Sequence, residues 1–206
     1  MKTKNIYIIR HGQTDYNKKK MVQGRGVDAS INNEGRTQAA LFYQAYKNIS
    51  FDKIYTSSLR RTVESVNQFI ESGIPFEQLS GLDEISWGTH EGMPYDPIRH
   101  SEYLKGLENW TNGNVDYKVA NGESPNEVAA RQKEAMKYIM SKKEEKTILI
   151  STHGRAMRFM VCWLMGQPLH AAEVYEHSNL CLYQLRYDGQ NADMLINNSI
   201  DHLTKN

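Results

Sequence analysis

The chain of 206 residues is long enough to bury a hydrophobic core as one large domain. Its hydrophobic content of 39%, charged content of 24% and formal net charge of +1 are typical of a globular protein and do not indicate a nucleic-acid-binding surface. The basic opening segment MKTKNIYIIRHG has too short an apolar run for a signal peptide, and the apolar stretch AMRFMVCWLMG is too short to span a bilayer. We therefore expect a cytoplasmic protein that binds neither nucleic acids nor membranes and uses a local cluster for any anion.

The first half of the chain predicts strands that alternate with helices. Lys4–Arg10 predicts a strand that is apolar on both faces and therefore central in its sheet. A helical pattern begins at Asn33, and FDKIYTS predicts a second strand. Ser57 or Ser58 is the expected cap of the helix that follows, which continues to about residue 71.

The second half continues the alternation after an irregular stretch. Residues 74–122 predict a partly helical excursion above the sheet. Ser124, followed by Pro125 and Glu127, predicts the start of a helix over ESPNEVAARQKEAMKYIM. KTILIST predicts another buried strand, and NLCLYQLRYD and ADMLINN predict two late strands. The fold class is therefore α/β, with a mainly parallel sheet covered on both faces.

Two buried strands end in a histidine and a glycine. His11-Gly12 follows the first strand, and His153-Gly154 follows KTILIST. Because ligands of open α/β sheets bind beyond the carboxyl ends of the strands, both imidazoles are expected in one crevice if these strands are neighbours. The other histidines are interpreted as solvated or hydrogen-bonded residues outside the site: His90, His100, His170, His177 and His202.

Arginines next to these positions indicate an anion site. Arg60 and Arg61 lie in the first turn of a predicted helix, where the helix dipole disfavours cations, and Arg10 precedes His11. A bound phosphate would accept hydrogen bonds from the guanidinium groups and from free backbone amides. A surface salt bridge is the alternative for Arg60. No metal is expected, because the neighbouring arginines would repel a divalent cation.

The chemistry that these groups support is phosphoryl transfer by covalent catalysis. A neutral imidazole attacks phosphorus while fixed positive charge stabilises the phosphoryl oxygens. A carboxylic acid is then needed to protonate the leaving alkoxide, and the segment GLDEISWGTHEGMP offers Asp83, Glu84 and Glu91.

Taken together, the motifs resemble the histidine phosphatase superfamily in its phosphoglycerate mutase-like branch. They are RHGQTDYN, QGRGVDASINNEGRTQA, TSSLRRTVES, LDEISWGTHEG, NGESPNEVAAR and ISTHGRAMR. The resemblance implies a three-layer α/β/α sandwich and a phosphohistidine intermediate on His11. It also implies that Arg10, Arg61 and His153 form the phosphate pocket and that Glu84 is the proton donor.

Further positions carry weaker implications for substrate and phosphate binding. The resemblance assigns Asn17 a phosphate contact and places Gln23 and Gly24 in a substrate-side loop, and Glu123 lies in a stretch typical of phosphatase members. Gly154 lets the backbone approach a ligand. No resident cofactor is expected, the partner is a small phosphorylated metabolite, and the chain gives no indication for or against a homo-oligomer.

The sequence departs from the pattern of glycolytic mutases. Those enzymes follow the acid with an arginine, where this chain has Ile85, and carry paired arginines in the excursion. Residues 88–120, interpreted as a lid-like excursion of a single domain spanning residues 1–206, contain only the separated cations Arg99, Lys105 and Lys118. Aromatic residues there could line a pocket or simply pack: Tyr95, Tyr103, Trp110 and Tyr117.

Three hypotheses remain open at this stage. The first is a metal-independent phosphomonoesterase acting on a small metabolite, which the departures favour. The second is a phosphoglycerate mutase that requires a bisphosphorylated primer. The third is a phosphate-binding protein without catalytic activity, which is disfavoured because a binder needs no nucleophile and acid.

Overall fold

A six-stranded mixed sheet forms the centre of the computed structural model, which describes residues 3–204. The strands are β1 (Lys4–Arg10), β2 (Lys53–Thr56), β3 (Phe76–Gln78), β4 (Thr147–Thr152), β5 (Leu182–Tyr187) and β6 (Ala192–Ser199). Their order is β3-β2-β4-β1-β5-β6, in which the first four pair in parallel and β5 and β6 are antiparallel. The predicted mostly parallel sheet, with Lys4–Arg10 at its centre, is confirmed.

Helices cover both faces of the sheet. They are α1 (Asp15–Lys18), α2 (Asn33–Tyr46), α3 (Arg60–Glu64), α4 (Asn67–Glu71), α5 (Pro97–Thr111), α6 (Pro125–Ser141), α7 (Gly154–Leu164) and α8 (Asp201–Thr204). Because successive strand residues face opposite sides, Ile6 and Ile8 pack with α6 and α7, whereas Tyr7 and Ile9 pack with α2 and α4. The architecture is the expected three-layer α/β/α sandwich.

The region after β2 differs from its prediction. The helix begins at Arg60 without a side-chain cap, and it is divided at Ser65 and Val66 into α3 and α4. Neither Ser57 nor Ser58 caps it: Ser57 Oγ accepts from the backbone nitrogen of Leu59, and Ser58 Oγ donates to a carboxylate of the next loop. The predicted cap was wrong because both hydroxyls have tertiary partners as well, His153 for Ser57 and Asp83 for Ser58.

Residues 74–122 contain more regular structure than their glycines and prolines indicate. The edge strand β3 was not predicted, since it has only three residues and no buried face. The 15-residue helix α5 begins at Pro97, with Asp96 accepting from the backbone nitrogen of Arg99. A separate apolar cluster that includes Trp87, Trp110 and Phe159 packs this region onto α7. The partly helical excursion is therefore confirmed.

The helix α6 begins where its sequence predicts. Ser124 Oγ accepts from the backbone nitrogen of Glu127, and the Glu127 carboxylate accepts from the backbone nitrogen of Ser124. This reciprocal pair satisfies two of the free donors at the start of the helix, and Pro125 occupies a position that has no donor to lose.

The most apolar segment of the chain is part of the core. AMRFMVCWLMG contributes most of α7, which is buried along most of its length. Cys162 in this helix and Cys181 before β5 are both buried free thiols. Within residues 3–204, no helix combines the length and the apolar content needed to cross a lipid bilayer.

Candidate active site

Parallel pairing of β1 with β4 brings the two His-Gly pairs together. Arg10 lies opposite Thr152 in the register, and the backbone nitrogen of His11 donates to the carbonyl of Thr152 over 3.0 Å. The rings of His11 and His153 consequently have their centroids 5.2 Å apart. The expectation that these strands are neighbours and deliver both imidazoles to one place is confirmed.

His11 is held as one neutral tautomer. Its Nδ1 lies 2.7 Å from the carbonyl oxygen of Gly12, which can only accept, so Nδ1 carries the proton and Nε2 keeps a free lone pair. Burial, then the charges of Arg61 and Arg10, lowers the pKa of His11 well below its usual value. Gly12 is required by close packing, because a Cβ atom there would lie 2.7 Å from the carbonyl oxygen of Gly35. The arrangement presents an unprotonated ring nitrogen at neutral pH.

His153 and Arg61 form a fully buried pair beneath the floor of the cleft. Arg61 Nε donates to His153 Nδ1 over 3.1 Å, and His153 Nε2 therefore carries the proton and donates to Ser57 Oγ over 2.8 Å. Burial and the Arg61 charge lower the pKa of His153 well below its usual value. Burial also lowers the pKa of Arg61 to about 10, which leaves this guanidinium charged at neutral pH.

The remaining donors of Arg61 hold the loop after α1. They bind the carbonyl oxygens of Gly24, over 3.2 Å, and of Val27, over 2.5 Å. With its amide oxygen facing the guanidinium, Gln23 accepts from Arg61 Nη1 over 3.1 Å and donates to Thr14 over 2.7 Å. Gln23 lines the cleft, whereas Gly24 lies behind it and supplies only a backbone acceptor.

Arg10 and Asn17 occupy the side of the cleft next to His11. Arg10 Nη1 donates to His177 Nδ1 over 3.2 Å. The amide oxygen of Asn17 accepts from the backbone nitrogen of Thr14 over 3.1 Å and from Asn179 Nδ2 over 3.2 Å. Because donors occupy this oxygen, the amide nitrogen of Asn17 is the group left to donate to a ligand.

The sequence interpretation missed several residues that line the cleft, among them His177 and Asn179, and it was wrong to place His100 and His177 outside the site. His177 lies against Arg10 and Gly154, and burial, then the charge of Arg10, lowers its pKa to about 2. Asn179 donates to the backbone carbonyl of His11 over 2.9 Å as well as to Asn17. Neither residue follows a strand or precedes a glycine, so the local sequence carried no signal for its position.

Of the three candidate acids, only Glu84 lines the cleft. It accepts from the backbone nitrogens of Arg155 and Ala156 in the first turn of α7, over 3.2 and 2.8 Å. Asp83 instead accepts from Ser58 and pairs with Arg25 over 3.2 Å. Glu91 accepts from the backbone nitrogens of Gly26 and Trp87, over 2.7 and 2.8 Å. Asp83 and Glu91 thus bind neighbouring loops.

Glu123 and Gly154 have different positions relative to the cleft. Glu123 accepts from Arg131, over 3.0 Å, and from the backbone nitrogen of Ser86, over 2.9 Å, and it does not line the cleft. Burial by itself would raise the pKa of Glu123, but the bonds and charge of Arg131 outweigh it and lower this pKa. Gly154 does line the cleft, and a Cβ atom there would lie 2.8 Å from the His177 ring.

The cleft has a volume of about 470 Å³, which suits a small metabolite. Its lining also includes Trp87 and Tyr103 from residues 74–122 and the side chains of Arg155 and Arg158 from α7. Arg60 lies outside it, on the surface, where it pairs with Asp28 over 3.2 Å, as the alternative interpretation of this residue proposed. Within residues 3–204, no three His, Cys, Asp or Glu side chains converge in a way that could hold a metal ion.

We predict that the buried imidazoles make stability dependent on pH. His11 and His153 have lowered pKa values in the folded protein, whereas in the unfolded chain they take up protons near their usual pKa of 6.5. The free energy of unfolding should therefore fall as pH is lowered from 7 to 5.5, with each residue adding a slope of up to about 1.4 kcal/mol per pH unit. Urea denaturation of wild type, His11→Asn and His153→Asn should show a shallower slope in each variant. Imidazole NMR signals of these two residues that titrate near pH 6.5 would contradict the prediction.

The sequence and the fold both have clear relatives among known proteins. Residues 6–199 match the histidine phosphatase superfamily (branch 1). The Probable phosphoglycerate mutase GpmB of Shigella boydii is 29% identical over 189 residues, which is 88% of this chain and 84% of that protein. The structure of Bacillus stearothermophilus YhfR has a TM-score of 0.85 at 25% identity and covers 97% of this chain and 99% of its own.

A further solved structure shows the same fold at lower identity. Mycobacterial glucosyl-3-phosphoglycerate phosphatase has a TM-score of 0.84 at 22% identity, covering 96% of this chain and 100% of its own. The family match extends through the strand ends that carry His11 and His153 and through the loop that carries Glu84. The chain belongs to the histidine phosphatase superfamily (branch 1), whose enzymes include phosphatases and mutases.

Proposed function

We propose that this protein is a phosphomonoesterase that hydrolyses a small phosphorylated metabolite through a phosphohistidine on His11. The observation that carries the proposal is the tautomer of His11, whose Nδ1 proton is bound to Gly12 and whose Nε2 is free in a cationic cleft. A ring nitrogen in this state can attack phosphorus without first losing a proton.

The neighbouring groups fit the first half of the reaction. His11 Nε2 forms a bond to phosphorus while the bond from phosphorus to the alcohol oxygen breaks. Arg10 and the amide nitrogen of Asn17 stabilise the phosphoryl oxygens, and the buried guanidinium of Arg61, which is hydrogen-bonded to His153, adds positive charge. Glu84, which also lines the cleft, donates its proton to the departing oxygen.

The second half returns the enzyme to its starting state. Glu84, now a carboxylate, accepts a proton from water as the water oxygen attacks the phosphohistidine, and the P–N bond breaks to release inorganic phosphate. The proposed reaction needs no metal, because the charge that a divalent cation would supply comes from the guanidinium groups. These same groups would repel such a cation from the phosphate position.

We predict that His11→Ala abolishes phosphate release, because no other cleft residue has an unprotonated nitrogen so placed. Acid-free quenching after brief incubation with a 32P-labelled substrate, in the presence of chelator, should trap alkali-stable, acid-labile label on the wild-type protein. His170→Ala, at an exposed position, is the control and should retain both activity and label. Label that persists on His11→Ala would place the nucleophile elsewhere.

We predict that Glu84→Gln slows hydrolysis of alkyl phosphates far more than hydrolysis of p-nitrophenyl phosphate. An activated aryl oxygen leaves without a proton, whereas an alkoxide needs one. Loss of the acid should therefore lower kcat/KM mainly for the alkyl substrate. The measurement is kcat/KM for both substrate types in wild type and variant. Equal losses on both would assign Glu84 to structure or binding.

A second candidate is a phosphoglycerate mutase, in which a bisphosphorylated primer keeps His11 phosphorylated. The name of the GpmB relative and the two arginines of α7 that line the cleft favour it. The sequence interpretation sought substrate cations only in the excursion and so missed Arg155 and Arg158. Against the mutase stand Ile85 after the acid and the cations of residues 88–120, none of which lines the cleft: Arg99, Lys105 and Lys118.

We predict that water reaches the phosphohistidine more often than a re-bound phosphorylated acid does. With 3-phosphoglycerate and catalytic 2,3-bisphosphoglycerate, inorganic phosphate should form faster than 2-phosphoglycerate. Both products are followed in one reaction, with His11→Ala as the blank. Rapid isomerisation with little phosphate release would favour the mutase instead.

A further inference from the structure

A second group of cations faces the catalytic cleft from α7. Arg155 and Arg158 are three residues apart on this helix and therefore project from the same side of it. Both side chains line the cleft that contains His11, with exposed fractions of 11% and 15%. The reaction proposed above uses neither guanidinium.

The charge of this group is only partly compensated by the protein. Both guanidiniums pair with the carboxylate of Glu173, at 2.6 Å from Arg158, and Arg155 also donates to the hydroxyl of Tyr103 over 3.2 Å. Arg158 Nε has no hydrogen-bond partner among the described residues although it is buried from solvent. Two cations therefore share one carboxylate, which leaves these three side chains with a net charge of +1.

This group of cations is connected to the phosphate position through His177, which lines the same cleft. His177 accepts from Arg10 over 3.2 Å, and the charges of Arg158 and Arg155, after burial and Arg10, keep its pKa low. Because Nδ1 of His177 accepts from Arg10, its Nε2 carries the proton and is a further donor. His177 is therefore a neutral donor in the same cleft, within electrostatic range of both Arg10 and Arg158.

We propose that Arg155 and Arg158 form a second anion subsite, so that the substrate is a small phosphomonoester with a second acidic group. This inference rests on the proposed phosphatase function and narrows it to a substrate class. A carboxylate or a second phosphate fits, since a guanidinium fork binds either through two oxygens. The Glu173 carboxylate pairs with both arginines when the subsite is empty, and it competes with the second acidic group of the substrate for them.

The alternative role of these residues is a brace that ties the segment of Glu173 to α7. A brace would make every substrate depend equally on the ion pairs, because it acts through the shape of the cleft. A subsite would affect only substrates with the second acidic group. The two roles also differ in the effect of removing the Glu173 carboxylate. A brace would lose the ion pairs that hold it together, whereas a subsite would lose the group that competes with the substrate anion.

Matched substrate pairs test the proposal with the wild-type enzyme. The kcat/KM for phosphate release should be at least roughly tenfold higher for 3-phosphoglycerate than for glycerol 3-phosphate, which has a neutral hydroxymethyl group in place of the carboxylate. Fructose 1,6-bisphosphate against fructose 6-phosphate makes the same comparison for a second phosphate and so distinguishes the two anions. p-Nitrophenyl phosphate reports on the phosphate position alone.

Three variants test whether a preference for substrates with a second acidic group depends on the arginines. Arg158→Gln should raise KM for the doubly anionic substrate by roughly tenfold to a hundredfold and change p-nitrophenyl phosphate hydrolysis less than threefold. Glu173→Gln should lower that KM, because it frees both guanidiniums. Arg186→Gln is the matched control, since Arg186 is exposed and pairs with Asp193 on the sheet edge. Thermal unfolding verifies that each variant is folded.

The possible results separate the two proposals. Hydrolysis of all substrates without preference for the second anion would overturn the subsite and leave the phosphatase function in place. Equal losses on all substrates in both Arg158→Gln and Glu173→Gln would assign these residues to a brace and also overturn the subsite. Failure to release phosphate even from p-nitrophenyl phosphate would overturn the phosphatase function, and the inference with it.

Discussion

The register of β1 against β4 is the constraint on which the site depends. With Arg10 opposite Thr152, the residues that follow each strand, His11 and His153, emerge at the same level on the carboxyl edge of the sheet. A shift of one residue would turn the alternating apolar side chains of β1 to the wrong layers, so the core fixes this register independently of the site. The chemistry is thereby positioned by the packing of isoleucines that never contact a substrate.

The electrostatics of the site follow from burying imidazoles beside guanidiniums. A buried cation is costly unless it is hydrogen-bonded, and Arg61 meets this requirement with two backbone carbonyls and His153. The imidazoles lose their protons instead, because desolvation and the arginine charges both disfavour imidazolium. Positive charge for the phosphate therefore comes from arginine, and an unprotonated nucleophile comes from histidine. The two functions are divided between two residue types by one environment.

How much the sequence predicts depends on whether the signal is local. The central strands, the start of α6 and the convergence of His11 and His153 follow from patterns within a few residues and from one rule about sheet edges. His177, Asn179 and the partners of Ser57 were missed because their positions depend on how distant segments pack. Glu123 illustrates the same limit, since a segment typical of phosphatases gives no information on whether the side chain turns to the cleft or to Arg131.

Helix α7 connects the two halves of the cleft. Its first-turn amides bind the carboxylate of Glu84, and its second turn carries Arg158 towards the same space. The proposed acid and the proposed anion subsite are therefore fixed to one rigid element, which is buried on the sheet side by Met157 and Met160. A substrate held by Arg155 and Arg158 would have its scissile oxygen placed relative to Glu84 by the geometry of this helix. Binding of the second acidic group would in this way serve orientation as well as affinity, which is the contribution that raises kcat.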